Sequence, residues 1–440
     1  MKTLEDYIKT NSVIFPNKVA LICGNVKITY KELWERVLER SHDFKNCSDN
    51  IIILRTSQSI TFLIDYFAVH WAGKVAVPLE KDIPDESFSI IQNELYGCIV
   101  PENVVDILYT TGTTGKQKGT MLSRQAIIAN AENLIHAQLF SAETTFIISG
   151  PLNHIGSLSK IWPTILVGGS IIITEGMKNI TDFFKALDYP SNKMATFLVP
   201  ASIRMLLQFA EKQLIMYANK IDFIETGAAP MAKDDMNKLC EILPDTRLYN
   251  TYASTETGII CTHNYNSDYC VAGCLGRPMM HSKLFISEDG RIYCSGETLM
   301  SGYVNDEILT QEILHDGYVY TNDKGFIDSE GRLQLLGRND DIINIGGYKV
   351  NPIEVENMAL SFPEVSDCIC VADKHALLGD VLRLLVVMRS NYSLDKRQIA
   401  RFLSIKLGKY KVPQFYSQVE SIKRTYNGKL DRKFYRNNRI

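Results

Sequence analysis

Between residues 51 and 243 the chain alternates short apolar runs with helical segments, and this alternation limits the possible folds more than any other feature. Strands are expected at 51–54, 75–79, 104–109, 145–148, 170–174, 196–199 and 223–226. Helices are expected between them at 62–71, 87–95, 123–139, 157–167, 181–187, 203–214 and 233–243. Runs such as Ile51-Ile52-Ile53-Leu54 are apolar on both faces. A strand of that kind is buried on both sides, which predicts mostly parallel sheets with helices on each face. Ahead of the alternation, 18–22 and 27–33 read as two short strands leading into an amphipathic helix that ends near Phe44.

The pattern changes from about residue 273, where short β segments are punctuated by turns such as Ser287-Glu288-Asp289-Gly290 and Asp328-Ser329-Glu330-Gly331. A small antiparallel, barrel-like unit is expected there. A second change follows Gly337-Arg338-Asn339-Asp340-Asp341. Beyond it Asn351-Pro352 starts a helix to about Leu360, strands are expected at 368–371 and 384–388, and another helix at 395–407. The fold class is therefore α/β: a large N-terminal domain of stacked αβα sheets with its β-rich unit (1–337), a junction at 338–341, and a small α+β C-terminal domain (342–440).

The 440 residues are more than one core usually organises, which agrees with this division. No apolar run is long enough to span a bilayer and no signal-peptide core follows Met1, so a cytoplasmic location is expected. The ten cysteines contain no C-x-x-C pair, as in a reducing compartment, and Cys261, His263, Cys270 and Cys274 match no common zinc spacing. A net charge of −3 argues against non-specific nucleic-acid binding. The charge is uneven, however: from Arg401 onward basic residues far outnumber Glu420 and Asp431. That segment is either a solvated basic face or a cap over an anionic ligand.

The segment Tyr109-Thr110-Thr111-Gly112-Thr113-Thr114-Gly115-Lys116-Gln117-Lys118-Gly119-Thr120 joins an apolar run to a helical stretch. Glycines permit close backbone approach, while threonine hydroxyls, amides and two lysines are the donors a polyphosphate needs. It is not the Walker pattern, and taken alone it is either a nucleotide phosphate loop or a solvated Thr/Gly turn. Further short motifs follow: Gly227-Ala228-Ala229-Pro230, Asn250-Thr251-Tyr252-Ala253-Ser254-Thr255-Glu256-Thr257, Thr321-Asn322-Asp323, the stretch from Gly337 to Val350, and Asn427-Gly428-Lys429.

In type and order these motifs resemble those of the adenylate-forming superfamily, which includes acyl- and aryl-CoA synthetases, peptide-synthetase adenylation domains and luciferases. The resemblance runs from about Ile28 to Arg432. It implies that the loop, with Thr110, Thr111, Gly112, Thr113, Thr114, Gly115 and Lys118, holds the phosphates of ATP. It places Gly227, Ala228, Ala229 and Pro230 against adenine beside Asn250 and Thr251, with the Tyr252 ring stacked on the base. Thr255 is implied as a donor to the α-phosphate and Glu256 as a ligand of Mg²⁺. Asp323 would grip the ribose hydroxyls with Arg338 beside it, although an Asp and an Arg alone are more often a surface ion pair. Lys429 resembles the catalytic lysine, and Asp340 the hinge on which a mobile small domain turns. Gly346 and Gly347 would line a pantetheine path. His154, in Pro151-Leu152-Asn153-His154, either positions the carboxylate or gates the acyl tunnel, or is simply a packed histidine.

Three positions depart from the family pattern. Gln117 replaces a proline, and Asn322 replaces a glycine whose left-handed conformation asparagine tolerates. The stretch between Leu79 and Val104 is short by roughly a strand-helix unit. The resemblance implies an acid–thiol ligase that uses ATP, Mg²⁺ and coenzyme A, acting on a carboxylic acid as a monomer or homodimer. The alternative is a stand-alone ligase that loads a carrier protein's phosphopantetheine. From another class, Ser157-Leu158-Ser159-Lys160 has the S-x-x-K spacing of a serine hydrolase, but no Ser-Asp-Asn or Lys-Thr-Gly accompanies it.

Overall fold

The computed structural model describes residues 2–111, 117–177, 179–268, 270–345, 348–375, 379–424 and 430–437. Two sheets organise the large domain. In the first, Arg247–Ser254, Ile221–Thr226, Met194–Leu198, Thr145–Ile148, Ser170–Ile173 and Val19–Cys23 lie side by side in parallel, with Val26–Thr29 antiparallel at one edge. In the second, Ile51–Arg55, Val75–Leu79 and Val104–Thr111 run parallel. The expected alternation is thus present. The helices Arg124–Gln138 and Ile155–Leu166 pack on one another, and the largest core cluster joins Phe146, Ala195 and Phe223 of the first sheet to Leu108 of the second. Trp162 lies fully buried in this cluster, and truncating such a side chain to alanine costs about 3–5 kcal/mol.

Some elements differ from expectation. An unexpected helix, Leu4–Ile14, opens the chain, capped reciprocally by Thr3 and Asp6. The residues on either side of the expected phosphate loop pair with one another, Gln117–Ser123 running antiparallel to Val104–Thr111. The expected helix 203–214 is two helices, Pro200–Phe209 and Glu211–Met216, broken at Ala210. Asn322 sits inside the continuous strand Tyr318–Ile327 and is extended, not left-handed, so no turn forms there. The β-rich unit continues the first sheet antiparallel through Gly258–Asn264, Cys274–Pro278, Leu333–Arg338, Tyr318–Ile327, Arg291–Gly296 and Ser282–Ile286. The last of these strands packs back on Gly258–Asn264.

One buried polar chain fixes the strand that leads to the loop. His70 lies between Glu5 (Nδ1 to Oε1, 3.1 Å) and Asp106 (Nε2 to Oδ1, 2.9 Å). The Tyr66 hydroxyl donates to the other Asp106 oxygen and accepts from Trp162 Nε1. The helices Leu4–Ile14, Ile60–Trp71 and Ile155–Leu166 are therefore tied to Val104–Thr111.

The small domain follows a short turn, Asn339–Asp341. Its helices Pro352–Leu360 and Lys396–Lys406 share a core with the antiparallel pair Val365–His375 and Gly379–Met388, beside which Phe415–Gln418 runs parallel. Asn351 caps the first helix through Ile353 N, as expected. Several tail cations are tied to this domain's own acids: Lys411 to Glu354, Arg424 to Asp367, and Arg432 to Glu356. Among the described residues no helix is long and apolar enough to cross a membrane.

Candidate active site

The turns that carry the motifs emerge where strands end. Thr110 and Lys118 face each other across the hairpin. Gln117, where the family pattern has proline, pairs with Thr111 at the start of the returning strand. Gly112, Thr113, Thr114 and Gly115 lie outside the described residues, as do Gly346, Gly347 and Lys429; Thr111 and Asp340 are described only in their backbone. Gly227–Pro230 follows Ile221–Thr226 directly, and a Cβ at Gly227 would come within 2.9 Å of the Thr251 carbonyl. Ala228 adopts φ +66°. A left-handed alanine costs of order 1 kcal/mol or more and persists only where its surroundings impose it.

Thr255 and Glu256 lie on the turn of an antiparallel hairpin between Arg247–Ser254 and Gly258–Asn264, not at a helix cap. The turn is locked from both sides: Thr257 N donates to Ser254 Oγ at 3.0 Å and Ser254 N to Thr257 Oγ1 at 3.2 Å. Gly258 is required behind it, because at φ +69° any Cβ would lie 2.6 Å from both Asn130 and the Thr298 carbonyl. This rigidity presents Glu256 outward. Its Oε1 accepts a 2.9 Å hydrogen bond from the Tyr303 hydroxyl. Burial, and then the Glu256 carboxylate, raise the Tyr303 pKa and keep it a donor.

Tyr303 was not marked by any motif, yet it connects the site. Its short strand pairs with Thr120 and Met121 of the hairpin, and Lys118 Nζ lies 5.5 Å from its ring centroid. The phosphate-loop strand and the Thr-Glu turn therefore meet through one side chain. A second link joins two other motifs, where the Tyr252 hydroxyl donates to Asp323 Oδ2 at 2.8 Å. Arg338, directly opposite Asp323 across the strands, reaches its other oxygen at 3.7 Å.

Three side chains have contacts that the sequence reading did not assign. Tyr252 is 6% exposed and packs with Ile260, Leu275 and Leu333, so it braces Asp323 and leaves little surface for stacking. Asn250 donates to the Cys274 carbonyl, and Thr251 bonds to Thr262. Both bind neighbouring strands and hold the Tyr252 segment in place. Among the described residues no cluster of three or more His, Cys, Asp or Glu side chains is suited to a metal.

His154 precedes the helix Ile155–Leu166 and faces Glu80, which the sequence reading missed, with Nε2 4.0 Å from Oε1. Burial raises the Glu80 pKa, opposed by a hydrogen bond from Asn153. Behind His154, a Cβ at Gly156 would meet the Phe197 ring at 3.1 Å, and one at Gly227 would meet it at 3.6 Å. Lys160 donates to Glu225 Oε1 at 2.7 Å, so the lysine of the S-x-x-K spacing is committed to a carboxylate on another strand. That arrangement removes the basis of the serine-hydrolase alternative.

Residues 94–304 match the family model described as "AMP-binding enzyme", and residues 354–429 the one described as "AMP-binding enzyme C-terminal domain". The chain belongs to the AMP-binding enzyme family. A 2-succinylbenzoate–CoA ligase of Bacillus cereus (strain AH820) is 27% identical over 486 residues, covering 98% of each chain. Among solved structures, ATP-bound MatB from Rhodopseudomonas palustris superposes with TM-score 0.85 at 22% identity, covering 99% of each chain. The o-succinylbenzoate CoA synthetase (MenE) of Bacillus subtilis, in complex with its acyl-adenylate OSB-AMP, superposes with TM-score 0.84 at 20% identity over 98% of each chain. These two likenesses establish the fold, and family membership accounts for the order in which the site motifs occur along the chain.

Proposed function

We propose that the cleft framed by the 110–118 hairpin, Gly227–Pro230, the Thr255-Glu256 turn and Asp323 activates a carboxylic acid with ATP and passes it to a thiol. The observation that carries this reading is the Lys118–Tyr303–Glu256 contact, which brings a phosphate-loop cation and a fixed carboxylate to one place. The acid's carboxylate oxygen attacks the α-phosphorus and the bond to pyrophosphate breaks, leaving acyl-AMP. A thiolate then attacks the acyl carbon and AMP leaves, giving a thioester. The enzyme is an AMP-forming acid–thiol ligase.

In this scheme Thr110 and Lys118 hold the outer phosphates, Thr255 donates to the α-phosphate, and Asp323, braced by Tyr252 and Arg338, takes the ribose hydroxyls. Glu256 suits Mg²⁺, which uses one or two carboxylates together with phosphate oxygens and water. When bound, the ion neutralises phosphate charge. Lys429 supplies the cation at the α-phosphoryl group while water is excluded. Turning at Asp340 then replaces it with the face that bears Gly346 and Gly347. The short Asn339–Asp341 turn lies between the strands Leu333–Arg338 and Ile343–Ile345, a short junction of the kind at which hinges absorb a backbone change. Coenzyme A is the preferred acceptor, supported by the CoA ligase that matches the chain from end to end.

The test is ATP-dependent pyrophosphate release across a panel of acids, followed by thioester formation with coenzyme A or with a phosphopantetheinylated carrier protein. Release of pyrophosphate with some acid, and of AMP only when coenzyme A is added, is expected. AMP release driven only by a carrier protein would reassign the acceptor, and ADP in place of AMP would overturn the reading.

A further inference from the structure

We propose that Arg204 is a positioning residue for the small domain: it holds that domain in the orientation seen here through a contact built to be broken, and the contact favours acyl-AMP formation over thiol transfer. The proposal rests on the reading that the small domain turns between the two steps.

Arg204 lies on the helix Pro200–Phe209 of the large domain, which packs against the helix Lys233–Ile242 that follows Gly227–Pro230. Its Nε and Nη2 both bind Asp235 Oδ2 on that second helix, at 3.1 and 3.0 Å. The third nitrogen is left for the small domain. Nη1 lies 3.6 Å from Oδ1 of Asp367, on the strand Val365–His375. The other oxygen of Asp367 accepts from Arg424 Nη2 at 2.6 Å. Arg424 bridges to Leu430, and the chain between those two includes Lys429. A line of charged groups therefore runs from the helix after Gly227–Pro230 to the base of the segment that bears the proposed catalytic lysine.

The order of strengths makes the crossing contact reversible. Removing one partner of a buried ion pair normally leaves an uncompensated charge and is strongly unfavourable. Here Arg204 keeps Asp235, and Asp367 keeps Arg424, whether or not the two meet across the domains. Asp235 needs Arg204 in either orientation: burial raises its pKa, and Arg204 is the first group that opposes the rise. Arg389 of the small domain opposes it last, which adds weakly to the same bias. The three side chains are 18–22% exposed, so water partly screens the 3.6 Å contact. A contact of this kind shifts an equilibrium by about two- to fivefold, enough to bias a domain between two orientations without locking it. Closing it draws the base of the Lys429 segment towards the helix after Gly227–Pro230, so acyl-AMP formation is the step it favours.

The experiment compares the full-length enzyme with Arg204→Lys, Asp367→Asn and the double variant. Lysine keeps a charge for Asp235 but lacks the planar fork that reaches both carboxylates. Asparagine keeps the shape of Asp367 and the Oδ1 acceptor for Cys368 N. Pyrophosphate release from ATP and acid should fall by about two- to fivefold in each single variant. Thioester formation from supplied acyl-AMP should not fall, and melting temperatures should stay close to wild type. Arg204→Lys should have no further effect once Asp367 is replaced, which separates the crossing contact from any loosening of Arg424. Fluorophores placed at the exposed positions of Ile99 and Ile405, one on each domain, should report a matching gain of the open population. An unchanged distance distribution, equal losses in both steps, or additive losses in the double variant would overturn the proposal. If Arg204→Lys does not fold, the distance distribution of Asp367→Asn decides the matter. No pyrophosphate release from any acid would remove the reading of the site, and the distance measurement would still decide whether Arg204 holds the domain.

Discussion

Tyr303→Phe is the sharpest probe of how the phosphate loop and Glu256 work together. The substitution deletes one oxygen atom, the donor of the 2.9 Å bond to Glu256, and leaves the ring that packs beside Lys118. A hydrogen bond to a charged group is worth about 1.5–3 kcal/mol net. At about 1.4 kcal/mol per decade, its loss weakens whatever depends on the orientation of Glu256 by roughly 10- to 100-fold, the range typical of partners that orient metal ligands. If Glu256 holds Mg²⁺, that loss appears as a rise in the Mg²⁺ concentration giving half-maximal pyrophosphate release at fixed ATP. The rate at saturating Mg²⁺ should fall much less. Glu256→Gln, which removes the charge itself, should abolish activity at every Mg²⁺ concentration. Because the Tyr303→Phe variant keeps the buried ring, its melting temperature should stay within about 4 °C of wild type. An unchanged Mg²⁺ half-saturation in this variant would refute the link between the hydrogen bond and metal binding.

Lys429→Ala should slow acyl-AMP formation by about 10²–10³, as for one lost donor to a developing anion, and leave thioester formation from supplied acyl-AMP intact. Equal loss in both steps would refute its restriction to the first. Asp340→Pro should do the opposite, since a fixed φ at the pivot hinders the turn but spares adenylation; stopped-flow pyrophosphate release and thioester yield separate the steps. His70 is expected to stabilise the fold as an imidazolium. Burial alone would lower its pKa, but Asp106 and Glu5 outweigh that effect and raise it from 6.5 to about 10. The stabilisation is therefore complete below pH 6.5 and lost as pH rises through about 10. In urea unfolding, the gap between wild type and His70→Gln should be widest at pH 6.5 and shrink towards pH 10; a constant gap would show that the ring is not charged in the folded protein.

The parallel core was legible because its strands are apolar on both faces and the helices between them repeat at a regular spacing. Val75–Leu79 is buried at every residue, as such a run predicts, whereas Ile51–Arg55 keeps the strand but lies half-buried at the edge of its sheet. The elements that escaped are those whose signals are local and polar. Leu4–Ile14 has only a narrow buried face of Leu4, Glu5, Ile8 and Asn11, and its best marker is the capping pair Thr3 and Asp6. Gln117–Ser123 begins with four residues that read as loop, and it becomes a strand because Val104–Thr111 offers it an edge. The break at Ala210 carries no glycine or proline, so nothing in the local sequence announces it.

The same distinction holds inside the site. Motifs located the residues that touch ligand in the family, but not the residues that hold them, because a supporting contact is made across the fold and leaves no fixed spacing. Tyr303 is 47 positions from Glu256 and 71 positions separate Tyr252 from Asp323. One supporting pair did leave a trace: Glu225 is an acid inside the apolar run Phe223-Ile224-Glu225-Thr226, where a charge is costly unless something answers it. Lys160 answers half of it, from a helix that sequence spacing had linked to a different chemistry. The residues proposed to carry the reaction lie on motifs whose order can be read from the sequence. The Lys160–Glu225 pair forms only when the helix Ile155–Leu166 docks on the sheet, and it is visible in sequence only as a charge out of place.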